Sequence, residues 1–114
     1  MLFSVLMSVY KNEKPIYFDK YLSSLSTQEI SPKEIIIVID GIIPVEITKI
    51  ILKWKKILPI IEIPLENNVG LGNALNEGLK YCSNNWVFRM DTDDVCTPNR
   101  FMKQIEYIQK KPNV

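Results

Sequence analysis

Four short apolar runs alternate with four segments whose apolar residues recur at helical spacing, and this alternation constrains the fold more than any other feature of the chain. Residues 2–9 read Leu-Phe-Ser-Val-Leu-Met-Ser-Val, a run suited to a strand buried on both faces. Residues 34–40 hold Ile35, Ile36, Ile37, Val38 and Ile39, whose β-branched side chains fit a second buried strand. Residues 59–64, with Ile60, Ile61 and Ile63, give a third, and residues 86–90 a fourth. Between them, Phe18, Tyr21, Leu22 and Leu25 mark one helical face. Ile47, Ile50, Ile51, Trp54 and Leu58 mark another, and Leu71, Ala74, Leu75, Gly78, Leu79 and Cys82 a third. Phe101, Met102, Ile105 and Ile108 supply a fourth face, behind a Thr97-Pro98 start of capping hydroxyl and first-turn proline. Pro15 opens the first helix, and Ser31-Pro32 is expected to stop it.

The order βαβαβαβα predicts an α/β domain, a mainly parallel sheet with helices on both faces. At 114 residues the chain is sized for one domain with one core, and no linker or internal repeat divides it. Its 14 basic and 13 acidic side chains leave a net charge of +1, which gives no footprint for a nucleic-acid partner. Lys53, Lys55 and Lys56 beside Trp54 read as a solvated helix rim. There is no histidine, so histidine acid–base chemistry within this chain is excluded. Cys82 and Cys96, without a C-x-x-C pair, suit a reducing compartment better than a zinc site or disulfide. The first ten residues lack the charged start and cleavage site of a signal peptide, so the expected location is cytoplasmic.

In open parallel sheets ligands bind beyond the carboxyl ends of the strands. The first strand delivers Tyr10, Asn12 and Glu13 there, the second Asp40, the third Glu66, Asn67 and Asn68, and the fourth Asp91, Thr92, Asp93 and Asp94. Three carboxylates within residues 91–94 repel one another unless a cation or hydrogen-bond donors gather them. Hard oxygen ligands at this spacing suit Mg²⁺ or Mn²⁺, ions that keep some waters and bridge to substrate phosphates. The plainer alternative is an acidic loop favoured by the dipole of the following helix. Asp40 could cap a turn with Gly41, or accept hydrogen bonds from a base or ribose. Gly70 and Gly72 follow the third strand rather than the first, so they form no dinucleotide fingerprint; they fit a turn into a helix. Gly78 fits close packing of helix on sheet.

The segment Ser4-Val5-Leu6-Met7-Ser8-Val9-Tyr10-Lys11-Asn12-Glu13 resembles the opening strand and loop of family 2 glycosyltransferases. Residues 34–41 resemble their second strand, which ends in aspartate. Asn68-Val69-Gly70-Leu71-Gly72-Asn73-Ala74-Leu75-Asn76-Glu77-Gly78 resembles their N-x-G-x-x-x-A-x-N-x-G segment. Arg89-Met90-Asp91-Thr92-Asp93-Asp94, followed by Pro98 and Arg100, resembles their D-x-D segment and the helix after it. The resemblance is to bacterial enzymes of polysaccharide synthesis. It implies a GT-A, Rossmann-like fold and inverting transfer from a nucleoside-diphosphate sugar, commonly a UDP-sugar, to a glycan or glycolipid.

By that resemblance the backbone of Val9, with Tyr10 and Glu13, lines the nucleoside pocket, and Asp40 accepts from the base. Asp91 contacts ribose or the metal shell, and Asp93 is the direct ligand of Mg²⁺ or Mn²⁺. Asn68, Gly70, Asn76 and Thr92 complete the nucleotide-sugar site. Two departures stand out. The family's D-D-G-S becomes Ile39-Asp40-Gly41-Ile42, and Leu75 stands where arginine is common. Family members carry the general base and most of the acceptor site in a second half, so no catalytic base is assigned here. The resemblance further implies a longer enzyme, peripheral to the membrane, and a donor half that self-associates when alone. Two alternatives are a nucleotide-binding module without turnover and a sugar-phosphate nucleotidyltransferase. The latter wants a glycine- and arginine-rich loop after the first strand, which residues 8–14 lack.

Overall fold

The computed structural model describes residues 2–84 and 86–90, together with residues 100, 101, 103, 105 and 106. Four parallel strands, β1 (Phe3–Val9), β2 (Glu34–Asp40), β3 (Ile60–Leu65) and β4 (Trp86–Arg89), form one sheet in the order β3-β2-β1-β4. Helix α1 (Pro15–Ser26) joins β1 to β2, α2 (Val45–Lys55) joins β2 to β3, and α3 (Leu71–Leu79) joins β3 to β4.

The strand order explains the layering. The chain steps outward from β1 to β3, so right-handed crossovers place α1 and α2 on one face. It then returns past β1 to β4, and the same handedness sends α3 to the other face. The two hydrophobic clusters record this. Phe3, Val5, Met7 and Val9 of β1 pack with Ile35 and Ile37 against Phe18, Tyr21, Leu22, Ile47 and Ile51. Leu6, Ile36, Val38 and Ile63 meet Ala74 on the opposite side. All seven residues of β1 are buried, as a continuous apolar strand at the centre of a two-sided sheet requires.

Alpha3 lies so close to the sheet that a Cβ on Gly78 would come within 2.5 Å of both Leu6 Cδ1 and Val38 Cγ2. Phe3, Phe88 and Phe101 form an aromatic cluster with ring centroids 4.9–5.7 Å apart. Arg100, Phe101, Lys103, Ile105 and Glu106 are helical, and Phe101 and Ile105 are buried. The Phe101 N–H also donates to Gln28 Oε1 at 3.3 Å, which ties this segment to the end of α1.

Several expected boundaries move. Beta1 begins at Phe3 rather than residue 2, β3 runs Ile60–Leu65 rather than 59–64, and β4 ends at Arg89 rather than residue 90. Alpha1 closes at Ser26, well before Ser31-Pro32, where three hydroxyls (Ser24, Ser26 and Thr27) donate back to carbonyls three residues earlier. Gly72 sits inside α3, not in the turn before it. The α3 face is narrower than its periodicity suggests: Ala74 and Gly78 are buried, whereas Leu71 and Leu79 are exposed. Alpha3 packs on β2 and β1 through Ala74 and Gly78, while Leu71 stands at its N-terminal end, beyond the carboxyl ends of the strands. The Thr97-Pro98 helix start, Met102, Ile108 and Cys96 lie outside the described residues.

At the end of the sheet away from the strand carboxyl termini, Glu34 opens β2 as a buried carboxylate. Ser4 Oγ donates to its Oε2 at 2.8 Å, the Ser83 N–H to Oε2 at 2.7 Å and Ser83 Oγ to Oε1 at 2.8 Å. Asn84 Nδ2 donates in turn to Ser4 Oγ at 3.0 Å. Burial pushes the Glu34 carboxyl up, but the donors from Ser83 and Ser4 together outweigh it and hold the group below its ordinary range. This cluster clasps the α3–β4 connection to the two central strands.

Candidate functional site

A cleft of about 720 Å³ opens at the carboxyl edge of the sheet, and Ser8, Tyr10, Asn12, Glu13, Lys14, Tyr17, Asp40, Asn68, Gly70, Leu71 and Met90 line it. Its place follows from the topology. The crossover leaving β1 goes to one side, and β4 lies on the other, so the loops diverge and leave a crevice.

Beta1 runs out at Val9 and the chain turns at once. The Glu13 N–H donates to the Tyr10 carbonyl at 3.1 Å, which closes the turn and sets Tyr10, Asn12 and Glu13 along one wall. Lys14 then leads into α1, its carbonyl accepting the Phe18 N–H at 3.0 Å, and its ammonium stands 5.6 Å from the Tyr17 ring centroid.

The opposite wall hangs on Asp40. Its carboxylate is buried at 3% exposure; Oδ1 accepts the Val69 N–H at 2.7 Å and Oδ2 the Gly70 N–H at 3.1 Å. The Asn68 side-chain amide donates to the Asp40 carbonyl at 3.2 Å. Both glycines at this junction hold left-handed backbone, Gly41 at φ +87° and Gly70 at φ +88°. At Gly41 a Cβ would also lie 2.9 Å from the Asn68 backbone nitrogen, so β2 and the loop after β3 touch through glycine. Gly70 leads into α3, whose first free N–H groups face this edge.

Tyr10, Glu13, Asp40, Asn68 and Gly70 of the expected site thus converge on one cleft. Val9 stands next to it in the chain with its side chain in the core, in keeping with a role for its backbone. Asn76 is placed differently. It sits on the exposed side of α3 and does not line the cleft, because α3 carries it away from the loop that begins at Asn68. Asp91, Thr92 and Asp93 lie outside the described residues, as does the expected closeness of Asp40 to Asp91. Among the described residues no group of three acids or cysteines could hold a metal ion. Met90 lines the cleft, its N–H donating to the Leu6 carbonyl at 2.9 Å, and Asp91 is the next residue in the chain.

Sequence reading did not single out Lys14, Tyr17, Leu71 and Met90. The available signal was positional: each stands within one helical turn of a strand or loop that had been assigned to this edge.

The family model for glycosyl transferase family 2 matches residues 4–114. The chain belongs to that family. Among its family 2 relatives is the amylovoran biosynthesis glycosyltransferase AmsE of Erwinia amylovora, 46% identical over 99% of this chain and 42% of the relative. Another is the Escherichia coli UDP-Gal:alpha-D-GlcNAc-diphosphoundecaprenol beta-1,3-galactosyltransferase, 38% identical over 98% of this chain and 41% of the relative. Residues 1–349 of S. aureus TarS, solved in complex with UDP-GlcNAc, superpose with a TM-score of 0.83 at 28% identity, covering 96% of this chain and 32% of that one. The fold is therefore the GT-A fold of family 2. The chain spans about two fifths of the length of these curated relatives.

Proposed function

We propose that these 114 residues bind the donor in a bacterial glycosyltransferase that moves a sugar from a nucleoside diphosphate, UDP foremost, to a glycan or glycolipid acceptor. The observation that carries the reading is the cleft at the strand-order reversal, walled by Tyr10 and Glu13 on one side and by the Asp40–Gly70 junction on the other. UDP-GlcNAc in the TarS complex and UDP-Gal in the name of the E. coli relative support a uridine nucleotide.

In this reading Tyr10 offers a ring for the base and Glu13 an acceptor for ribose or base. Asp40 holds the loop from Asn68 to Gly70 in place and is itself part of the cleft lining. Asp91 and Asp93 are hard oxygen donors that follow a cleft residue directly, a donor set suited to Mg²⁺ or Mn²⁺. When bound, the ion would neutralise charge on the departing diphosphate. Thr92 lies between them as a further polar contact. The general base is assigned to no residue of this chain, and sugar transfer is proposed for the whole protein. The enzyme works in the cytoplasm at the inner face of the membrane, where a lipid-linked acceptor is reached; the acceptor named for the E. coli relative supports this.

Calorimetric titration with UDP and UDP-GlcNAc, with and without Mn²⁺, tests the reading. Binding of the diphosphate that tightens with Mn²⁺ is the expected result. No heat with any nucleoside diphosphate, from this chain or a C-terminally longer form, would refute it.

A further inference from the structure

Alpha2 shows the solvent a second organised face. Its inward side, Ile47 and Ile51, is buried in the core. On the outward side Val45, Lys49, Leu52 and Lys56 follow one another in steps of four, three and four residues, which aligns them in a single stripe. Ile42 precedes the stripe and Ile57 follows it. These apolar side chains stand far out of the surface: Ile42 is 87% exposed, Ile57 67%, Val45 59% and Leu52 52%. Soluble surfaces scatter single apolar residues, but here Val45 and Leu52 alternate with lysines on one helical stripe, and exposed Ile42 and Ile57 stand in the chain just before and just after it.

The charges beside the stripe are arranged unevenly. Lys53 on one flank pairs with Asp19 at 2.6 Å, and Lys55 on the other with Glu62 at 2.8 Å. Lys49 and Lys56, within the stripe, enter none of the ion pairs formed among the described residues. No acid lies on the stripe itself; Glu46 is on the Lys53 flank. A surface that alternates bare aliphatic side chains with unpaired ammonium groups matches an anionic lipid layer. The aliphatic groups enter the headgroup boundary, and the lysine stems lie along it with their charges at the phosphates.

We propose that the outward stripe of α2, with Ile42 before it and Ile57 after it, docks the protein on an anionic bilayer surface. Ile42 stands two residues after Asp40, so docking sets one wall of the donor cleft next to the lipid. This inference deepens the proposed function by naming the surface that faces the membrane. It stands or falls by lipid binding, separately from nucleotide binding.

The test is co-sedimentation of the 114-residue protein with sucrose-loaded vesicles, either phosphatidylcholine alone or phosphatidylcholine with about a third phosphatidylglycerol. The parent is expected to bind the anionic vesicles at least about tenfold more tightly than the neutral ones, and to release with added salt. Lys49→Glu with Lys56→Glu, and separately Leu52→Gln with Ile57→Gln, should each weaken binding at least about tenfold. Circular dichroism and UDP titration should report an intact fold and donor cleft for both. Leu79→Gln, on α3 across the sheet, should bind vesicles as the parent does. Absence of binding to anionic vesicles overturns the proposal. So does equal binding to both vesicle types, binding that survives both stripe variants, or binding that Leu79→Gln abolishes. Loss of UDP binding in the parent with vesicle binding retained would strike the donor reading and leave this one standing.

Discussion

The Asp40 carboxylate accepts the Gly70 N–H at 3.1 Å across 30 residues of chain, and this bond, with its twin from Val69, joins the end of β2 to the entrance of α3. One wall of the cleft depends on it. Asp40 is a positioning residue for the loop before it is a ligand for anything else, because each of its oxygens already holds a backbone donor.

Replacing Asp40 should therefore affect both stability and binding. Asp40→Ala leaves two backbone donors without partners in a nearly closed site, at a cost of about 1–3 kcal/mol. Urea unfolding should show this as a lower midpoint. UDP affinity should fall whether or not Mn²⁺ is present, since the loop is disturbed in either case. A variant with parental stability and parental affinity would refute the positioning role.

Gly78→Ala should destabilise the domain without touching the cleft. The added carbon meets Leu6 and Val38 at 2.5 Å, and both are packed in the core on the α3 side. Overpacking of this kind costs about 1–3 kcal/mol. Denaturant titration measures the loss, and UDP affinity of the folded variant should remain parental.

Glu34 gives the fold a dependence on acid. Its folded-state pKa lies below the ordinary value of 4.5, so the native state binds the proton more weakly than the unfolded chain does. The stabilisation is present in full above pH 4.5 and is lost as pH falls through the folded value. Glu34→Gln should flatten that part of the stability profile, measured by urea midpoints between pH 3 and pH 7 on the order of one unit apart. An unchanged slope in the variant would show that Glu34 is not the group responsible.

Much of the architecture was legible in the sequence. Continuous apolar runs and helical periodicity identified the four strands, the helices α1 to α3, and Phe101 and Ile105 of the fourth helical face, because a strand buried on both faces and a helix buried on one have different repeats. Tyr10, Glu13, Asp40 and Asn68 were placed correctly at one edge because parallel strands all end there. What the sequence concealed depends on partners far away in the chain. The Asp40 carboxylate binds main-chain N–H groups, which leave no side-chain signal, and Glu34 meets Ser83 across 49 residues. Periodicity placed Leu71 and Leu79 on an apolar face but could not say which strands α3 would cover. Asn76 was carried to the site by its motif, and the turn of α3 takes it out of the cleft.

Leu79 of α3 and the outer edge of β4 should make the isolated chain associate with itself. Leu79 and Trp86 are exposed, and among the described residues β4 pairs with β1 alone. Light scattering over a concentration series should show a rising mean mass, and Leu79→Lys should suppress it. A monomer at every concentration would contradict this.

Asp93→Ala decides whether the donor is bound through a diphosphate and a metal ion. The measurement is calorimetry of UDP binding with and without Mn²⁺, for the parent and for this variant. Mn²⁺ is expected to tighten UDP binding to the parent and to have no such effect on Asp93→Ala, with the far-ultraviolet spectrum of the two proteins the same. Removal of one charged contact should cost about 1.5–3 kcal/mol, or roughly ten- to a hundredfold in affinity when Mn²⁺ is present. If Asp93→Ala binds UDP with Mn²⁺ as tightly as the parent does, the metal assignment is wrong.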